Sequence, residues 1–248
     1  LARYISRLID AVTVEDIQLC LFEAMQSFGF MYTLYAARYL TQLPATVIHE
    51  ELEVWSNFPD NFLNTLTSQR IIYGSNWDQW ALEHDGCIAT EQITNRSGPD
   101  RLSELVKQNG FQGSMLFSLK GKVLRSNGAI LLNPGRGASA EEAINLWQAN
   151  SRELTLICWV AHLRMATSQR RRKNNLLTQR QREVLEWSSA GKTIAEIATI
   201  LGVTPATVEK HLRLARDSLG AGNTAQAILK AHLTNQIFSG DIPDETER

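Results

Sequence analysis

Between Leu177 and Leu219 the chain marks three helix starts in close succession. Thr178 with Gln181, and Thr193 with Glu196, each set a hydroxyl acceptor three residues ahead of a long amide or acid. At that spacing two orphan amides at a helix start are satisfied reciprocally. Leu201-Gly202-Val203 then makes a tight turn, and Thr204-Pro205 supplies an N-cap followed by a proline whose fixed φ suits the first helical position. The pattern predicts a helix-turn-helix whose third helix runs from about Pro205 to Leu219. Along that helix Val208, Leu212, Ala215 and Leu219 recur at four- and three-residue steps and form a stripe that packs on the preceding helices. Ala206, Glu209, Lys210, Arg213 and Arg216 share another face. The alternative, a small bundle with an ordinary solvated charged face, leaves the agreement of capping, turn and polarity without a cause.

The distribution of charge gives that second face a purpose. The net charge is −1, yet residues 170–240 carry eleven Lys or Arg against five Asp or Glu, while residues 1–169 carry thirteen against seventeen. A basic C-terminal half on an acidic partner half suits neutralisation of phosphate by one end of the molecule. A helix fits the major groove of B-form DNA, where arginine grips guanine bidentately and lysine reaches phosphate or a guanine edge. Thr207, Glu209, Lys210 and Arg213 are the candidates for groove contacts, with Lys192, Thr193 and Thr204 on the phosphates. Arg170-Arg171-Arg172-Lys173 lies in a basic linker, residues 167–175, and either tracks DNA backbone or is simply solvated.

These residues resemble the LuxR-type transcriptional regulators. Leu177, Thr178, Arg180, Glu183, Val184, Leu185, Trp187, Gly191-Lys192-Thr193, Glu196-Ile197-Ala198, Ile200-Leu201-Gly202-Val203, Thr207-Val208 and His211-Leu212 fall on the family's pattern. The chain departs from it at Ser218-Leu219, where Lys-Leu is usual, and at Thr224, where arginine is common. The resemblance implies a fourth helix, about Thr224 to Thr234, that carries a dimer contact in relatives.

Upstream, Val14 to Phe28 reads as an amphipathic helix leading into a strand over Phe30 to Leu40. Phe111–Leu119 and Val123–Leu132 are further strands joined through Lys120-Gly121 as a hairpin, which predicts an antiparallel sheet. Glu141 to Met165 reads as one long helix with a heptad-like seam of Ile144, Trp147, Leu154, Cys158, Ala161 and Met165, apolar enough to bury one side on the sheet and another on a second subunit. The expected architecture is α+β: an N-terminal α/β/α sandwich, residues 1–166, the linker, a four-helix helix-turn-helix domain at 176–240, and an acidic tail at 241–248.

The order of these elements also looks like the family's N-terminal domain, which binds acyl-homoserine lactones between a sheet and a helical layer. Asn57-Phe58-Pro59 is the landmark, Phe62 stands where tryptophan is common, and counting onward the expected tyrosine is Leu66 and the Asp-Pro pair Ser75-Asn76. In relatives those side chains hydrogen-bond the ligand. Leu66 cannot donate, and replacing a charged partner by Ser75 forfeits about 1.5 to 3 kcal/mol. A slip in this alignment moves Asp78 into that role. An ordinary acyl-homoserine lactone is therefore not the expected ligand, although Tyr32, Tyr35, Phe58, Phe62, Tyr73, Trp77 and Trp80 can line a pocket for another small molecule, or simply pack a core.

No catalytic constellation emerges. His49-Glu50-Glu51 lacks the second histidine of a zinc motif, and His84-Asp85-Gly86-Cys87 brings an imidazole and a thiol together only along the chain. The glycines at 121, 128, 135 and 137 do not make a nucleotide fingerprint. Cys20, Cys87 and Cys158 are odd in number and widely spaced, as reduced thiols are. No apolar run is long enough to span a bilayer, and no secretory leader is visible. The expectation is a cytoplasmic regulator without enzymatic activity, cofactor or metal, which binds double-stranded DNA as a dimer without needing an ordinary acyl-homoserine lactone. Two alternatives stand beside it: a lactone-gated quorum receptor, and a regulator that titrates a related protein as a heterodimer. RNA polymerase is a further candidate partner.

Overall fold

The protein's computed structural model describes residues 1–39, 52–124, 126–168 and 177–238. The basic run at 170–173, His49-Glu50-Glu51 and the tail at 241–248 lie outside the described residues. Those up to Ala166 form one compact unit and those from Thr167 another.

The N-terminal unit is built on an antiparallel sheet in the order β2 (Glu53–Ser56), β1 (Tyr32–Tyr39), β5 (Ser126–Asn133), β4 (Met115–Ser118), β3 (Cys87–Ala89). Strand periodicity assigns each side chain to a face. On β1, the odd-numbered Tyr35, Ala37 and Tyr39 join a core with Phe117, Ile130 and Leu132. The even-numbered Leu34 and Ala36 join a second core with Leu116 and Leu131. Helices α1 (Ala2–Asp10), α2 (Val14–Ser27) and α7 (Ala140–Thr167) cover the first face. Helices α3 (Asp60–Ser68), α4 (Asn76–Glu83), α5 (Thr90–Ser97) and α6 (Arg101–Gln108) cover the second. The result is the expected α/β/α sandwich, with the hairpin of β4 and β5 paired from Met115 opposite Leu132 to Ser118 opposite Ala129.

Helix α7 departs from its expected continuity. Asn150 has φ −134° and ψ 21°, so the helix is interrupted there; its side-chain amide donates to the Leu146 carbonyl at 3.1 Å. This local bond competes with the helical ladder. Beyond the break, Leu154, Cys158, Ala161 and Met165 are fully buried in their own core. That part of the seam is used on the sheet, and the leucines left outside are Leu156 and Leu163, 44% and 50% exposed.

The C-terminal unit comprises α8 (Gln179–Ser189), α9 (Ile194–Leu201), α10 (Pro205–Leu219) and α11 (Thr224–Leu233). Both capping boxes are present in full, at Thr178/Gln181 and Thr193/Glu196. Helix α9 stops at Gly202, which takes the left-handed conformation at φ 65°, and the Val203 amide returns to the Ala198 carbonyl at 3.0 Å. Such a C-cap favours glycine because a Cβ is strained there. Thr204 caps α10 with Pro205 in its first turn. Val208, Leu212 and Ala215 bury against Val184, Leu185, Ile197 and Ala231. Past α11 the chain folds back: the buried Gln236 side chain accepts from the Leu177 amide at 3.0 Å, and Ile237 enters the core.

Candidate nucleic-acid interface and small-molecule cavity

Burying one stripe of α10 leaves Thr204, Glu209, Lys210 and Arg213 exposed and Thr207 half-buried. From Thr207 to Arg213 is about 9 Å along a helix axis, a short reading edge at the N-terminal end of α10. Arg216, assigned to the same face, is half-buried. Arg213 lies 3.5 Å from Asp217 and keeps 59% of its side chain exposed. An exposed pair of that kind is weak, so the guanidinium is available to a base edge.

The proposed phosphate ligands differ from one another. Lys192 is exposed and its ammonium is 3.9 Å from Glu196. The Thr193 hydroxyl and amide both donate to Glu196 Oε2, each at 2.8 Å; a phosphate would have to displace that carboxylate. The same bonds, the backbone one foremost, hold Glu196 below the usual carboxylate pKa. Thr204 Oγ1 accepts from the Thr207 amide at 3.3 Å and lies 2.9 Å from Thr207 Oγ1. One hydroxyl proton serves that contact, and the pair retains a second to give outward.

The N-terminal unit has an apolar cavity between the sheet and α3–α6. Its walls bound roughly 560 Å³ of empty space, some of it open to solvent, and include Leu34, Leu52, Phe62, Leu66, Trp77 and Leu131. Of the aromatic candidates, Phe62 and Trp77 line it. Phe58 is buried in the same core and Tyr32 packs against it, each meeting Phe111 edge to face with ring centroids 4.9 and 5.2 Å away. Tyr73 stands apart: Arg70 and Arg38 lie 4.5 and 5.4 Å from its ring centroid, and its hydroxyl accepts from the Leu52 amide. Trp80 is partly buried and stacks on His84. Tyr35 must be removed from the pocket. It lies three positions on from Tyr32 along one strand, so the two face opposite ways, and the Tyr35 hydroxyl meets Tyr39 Oη at 2.5 Å and His162 Nδ1 at 2.7 Å in the other core.

Two cavity residues escaped sequence reading or received a different role in it. Arg38 follows Leu34 and Ala36 at the strand period, and its guanidinium forms two 2.8 Å bonds with Asp78. Asp78 Oδ2 also accepts from the Gly74 amide at 3.0 Å. Leu66 is 1% exposed, while Ser75 is spent as the N-cap of α4, accepting from the Asp78 amide.

The burial of the cysteines has a chemical consequence as well. All three are free, and burial pushes their thiols up from the ordinary range, which makes them poor nucleophiles. Among the described residues, no helix is long and apolar enough to cross a membrane.

Comparison with known proteins agrees with the geometry of both units. The model of bacterial regulatory proteins of the luxR family matches residues 175–231. The transcriptional activator protein LuxR of Aliivibrio fischeri is 24% identical over 229 residues, spanning 90% of this chain and 88% of its own. The transcriptional activator protein ExpR of Dickeya dadantii is 32% identical over 147 residues, 50% of this chain and 59% of its own. The crystal structure of Escherichia coli SdiA superposes over 95% of this chain and 96% of its own with a TM-score of 0.51 at 18% identity, a likeness of fold. Residues 175–231 thus carry the helix-turn-helix domain of the luxR family of bacterial regulatory proteins, and the two units together share the fold of SdiA.

Proposed function

We propose that the protein is a cytoplasmic, sequence-specific DNA-binding regulator that acts as a dimer and does not require an ordinary acyl-homoserine lactone. The DNA reading rests on the exposed row Glu209, Lys210, Arg213 on a helix fixed by its own caps. Two such helices, one per protomer, suit successive major grooves of a partly palindromic site. Independence from the lactone rests on the donors and acceptors of the cavity. Leu66 offers none, Ser75 is committed to a helix start, and Asp78 already accepts two bonds from Arg38 and one from Gly74. A ligand amide that needs a carboxylate meets one largely used up.

The cavity itself favours a second reading, in which a different small molecule gates the reader domain. The heterodimer alternative loses part of its motive, because the seam beyond Asn150 is buried in the protein's own core. Random-site selection with the purified full-length protein at fixed salt, with and without a panel of acyl-homoserine lactones, tests the proposal. Enrichment of a palindrome without lactone supports it. Enrichment only with a lactone would replace it by the gated receptor.

A further inference from the structure

Around the cavity, Leu34, Ala36 and Leu131 of the sheet face Phe62, Leu66 and Ala81 of the helical layer over a gap. Dispersion attraction falls off steeply once atoms part, so hydrocarbon adds little cohesion at that place. The charged pair of the wall does span it. Arg38 leaves β1 and gives two bonds of 2.8 Å to Asp78 in the first turn of α4. Both side chains are largely buried, at 16% and 10% exposed. Each end is itself pinned. The Ser126 hydroxyl on β5 donates to the Arg38 carbonyl at 3.1 Å, and Asp78 Oδ2 accepts from the Gly74 amide at 3.0 Å. Tyr73 lies beside the guanidinium, and its hydroxyl accepts from the amide of Leu52, just before β2. One ion pair thereby gathers β1, the first turn of α4, the turn that precedes it and the entry to β2.

We propose that Arg38 and Asp78 form a built-in brace that holds α4 against the sheet by protein groups alone, so that the N-terminal unit keeps its fold without a bound small molecule. The inference rests on the reading that no ordinary acyl-homoserine lactone is required, and it adds the device by which the N-terminal unit dispenses with one. A buried pair that serves only itself can be exchanged for neutral side chains at little cost, because the desolvation of both charges is recovered. A brace cannot, since its removal frees the elements it joins.

The test is amide hydrogen exchange, read by NMR on the full-length protein without added small molecule, for wild type and the double variant Arg38→Met with Asp78→Asn. The two substitutions remove both charges together, so neither is stranded, and keep much of the bulk of each side chain. The amides of Gln79 to Glu83 in α4 should exchange about tenfold faster or more in the variant, while those of α2, on the other face of the sheet, change by less than about twofold. Unchanged exchange in α4, or equal acceleration in α2, overturns the inference. Should the double variant not fold, the wild type alone decides. Gly74 is exposed, and its amide should still exchange at least about tenfold more slowly than that of an unstructured glycine, because Asp78 accepts from it. Exchange at the unstructured rate overturns the proposal. Neither readout involves DNA or a lactone, so their failure is distinct from failure of the site selection. Lactone-free enrichment of a palindrome can stand while α4 proves indifferent to the pair, and α4 can loosen in a protein that reads DNA only with a lactone.

Discussion

Arg213 and Lys192 are both exposed cations of the C-terminal unit, and the DNA-binding proposal assigns them different work. Arg213 lies on the outward row of α10, where bidentate pairing with one guanine would discriminate against other bases. Arg213→Ala should cost about 1–3 kcal/mol on the selected site and relax preference at one base pair, with little change on random DNA in an anisotropy titration. Equal losses on both would remove Arg213 from the groove. Lys192 sits before α9, beside a cap, and a phosphate contact from there would carry no sequence information. Lys192→Ala should weaken every site alike and flatten the slope of log affinity against log salt by about 0.9, one phosphate's worth. Glu196 supplies a pH signature of the same region. Its folded pKa is depressed by the Thr193 amide and hydroxyl, so the cap's contribution is fully present above the unfolded glutamate pKa of about 4.3 and is lost as pH falls through the lower folded value. Glu196→Gln keeps the box, as Gln181 does in α8, and should abolish this part of the acid sensitivity. Melting temperatures of the two proteins that run parallel from pH 6 to 3 would contradict it.

At the level of elements, β1 and β5 approach each other closely at Gly128. A Cβ there would lie 2.4 Å from the Ala36 carbonyl oxygen and 2.7 Å from Ala37 Cα. Both are backbone atoms of the neighbouring strand and cannot swing aside. Gly128→Ala should destabilise the N-terminal unit by about 1–3 kcal/mol or more in urea, and a loss below about 0.5 kcal/mol would mean that the strands part more freely than close packing allows. That constraint cannot be read from the chain, whereas the helix-turn-helix can, because its caps and turn each lie within four residues. Helices α3–α6 hold eight or nine residues each, and β2 and β3 four and three. Such lengths give too few repeats for periodicity to register. The interruption of α7 at Asn150 is announced by neither proline nor glycine. Arg38 and Asp78 are 40 residues apart and meet only because α4 packs on the face of β1 that carries Leu34 and Ala36. The misplacement of Tyr35 was avoidable, since strand parity alone separates it from Tyr32.

For the whole molecule, charge divides along the line between the two units: the basic residues collect with α10, and the sandwich supplies two cores and a leucine row left outside them. On α7, Leu156 and Leu163 are seven residues apart and half-exposed, on the other side of the helix from the buried Leu154, Cys158 and Ala161. Two wraps of a helix bring such residues back to one face, where they can pack against the same row of a second copy. Dimerisation through the N-terminal unit would turn the second half-site contact into an intramolecular event, worth about 10²- to 10⁴-fold in affinity without any new protein–DNA bond. Leu156→Glu with Leu163→Glu places charges in that row while leaving both cores intact. The double variant should sediment as a monomer and bind a palindrome at least about 100-fold more weakly, yet match wild type on a DNA carrying one half-site. A variant that remains a dimer would move the interface elsewhere, with α11 and its exposed Leu229 the next surface to alter. A monomer that still binds the palindrome at full strength would separate DNA recognition from dimerisation altogether.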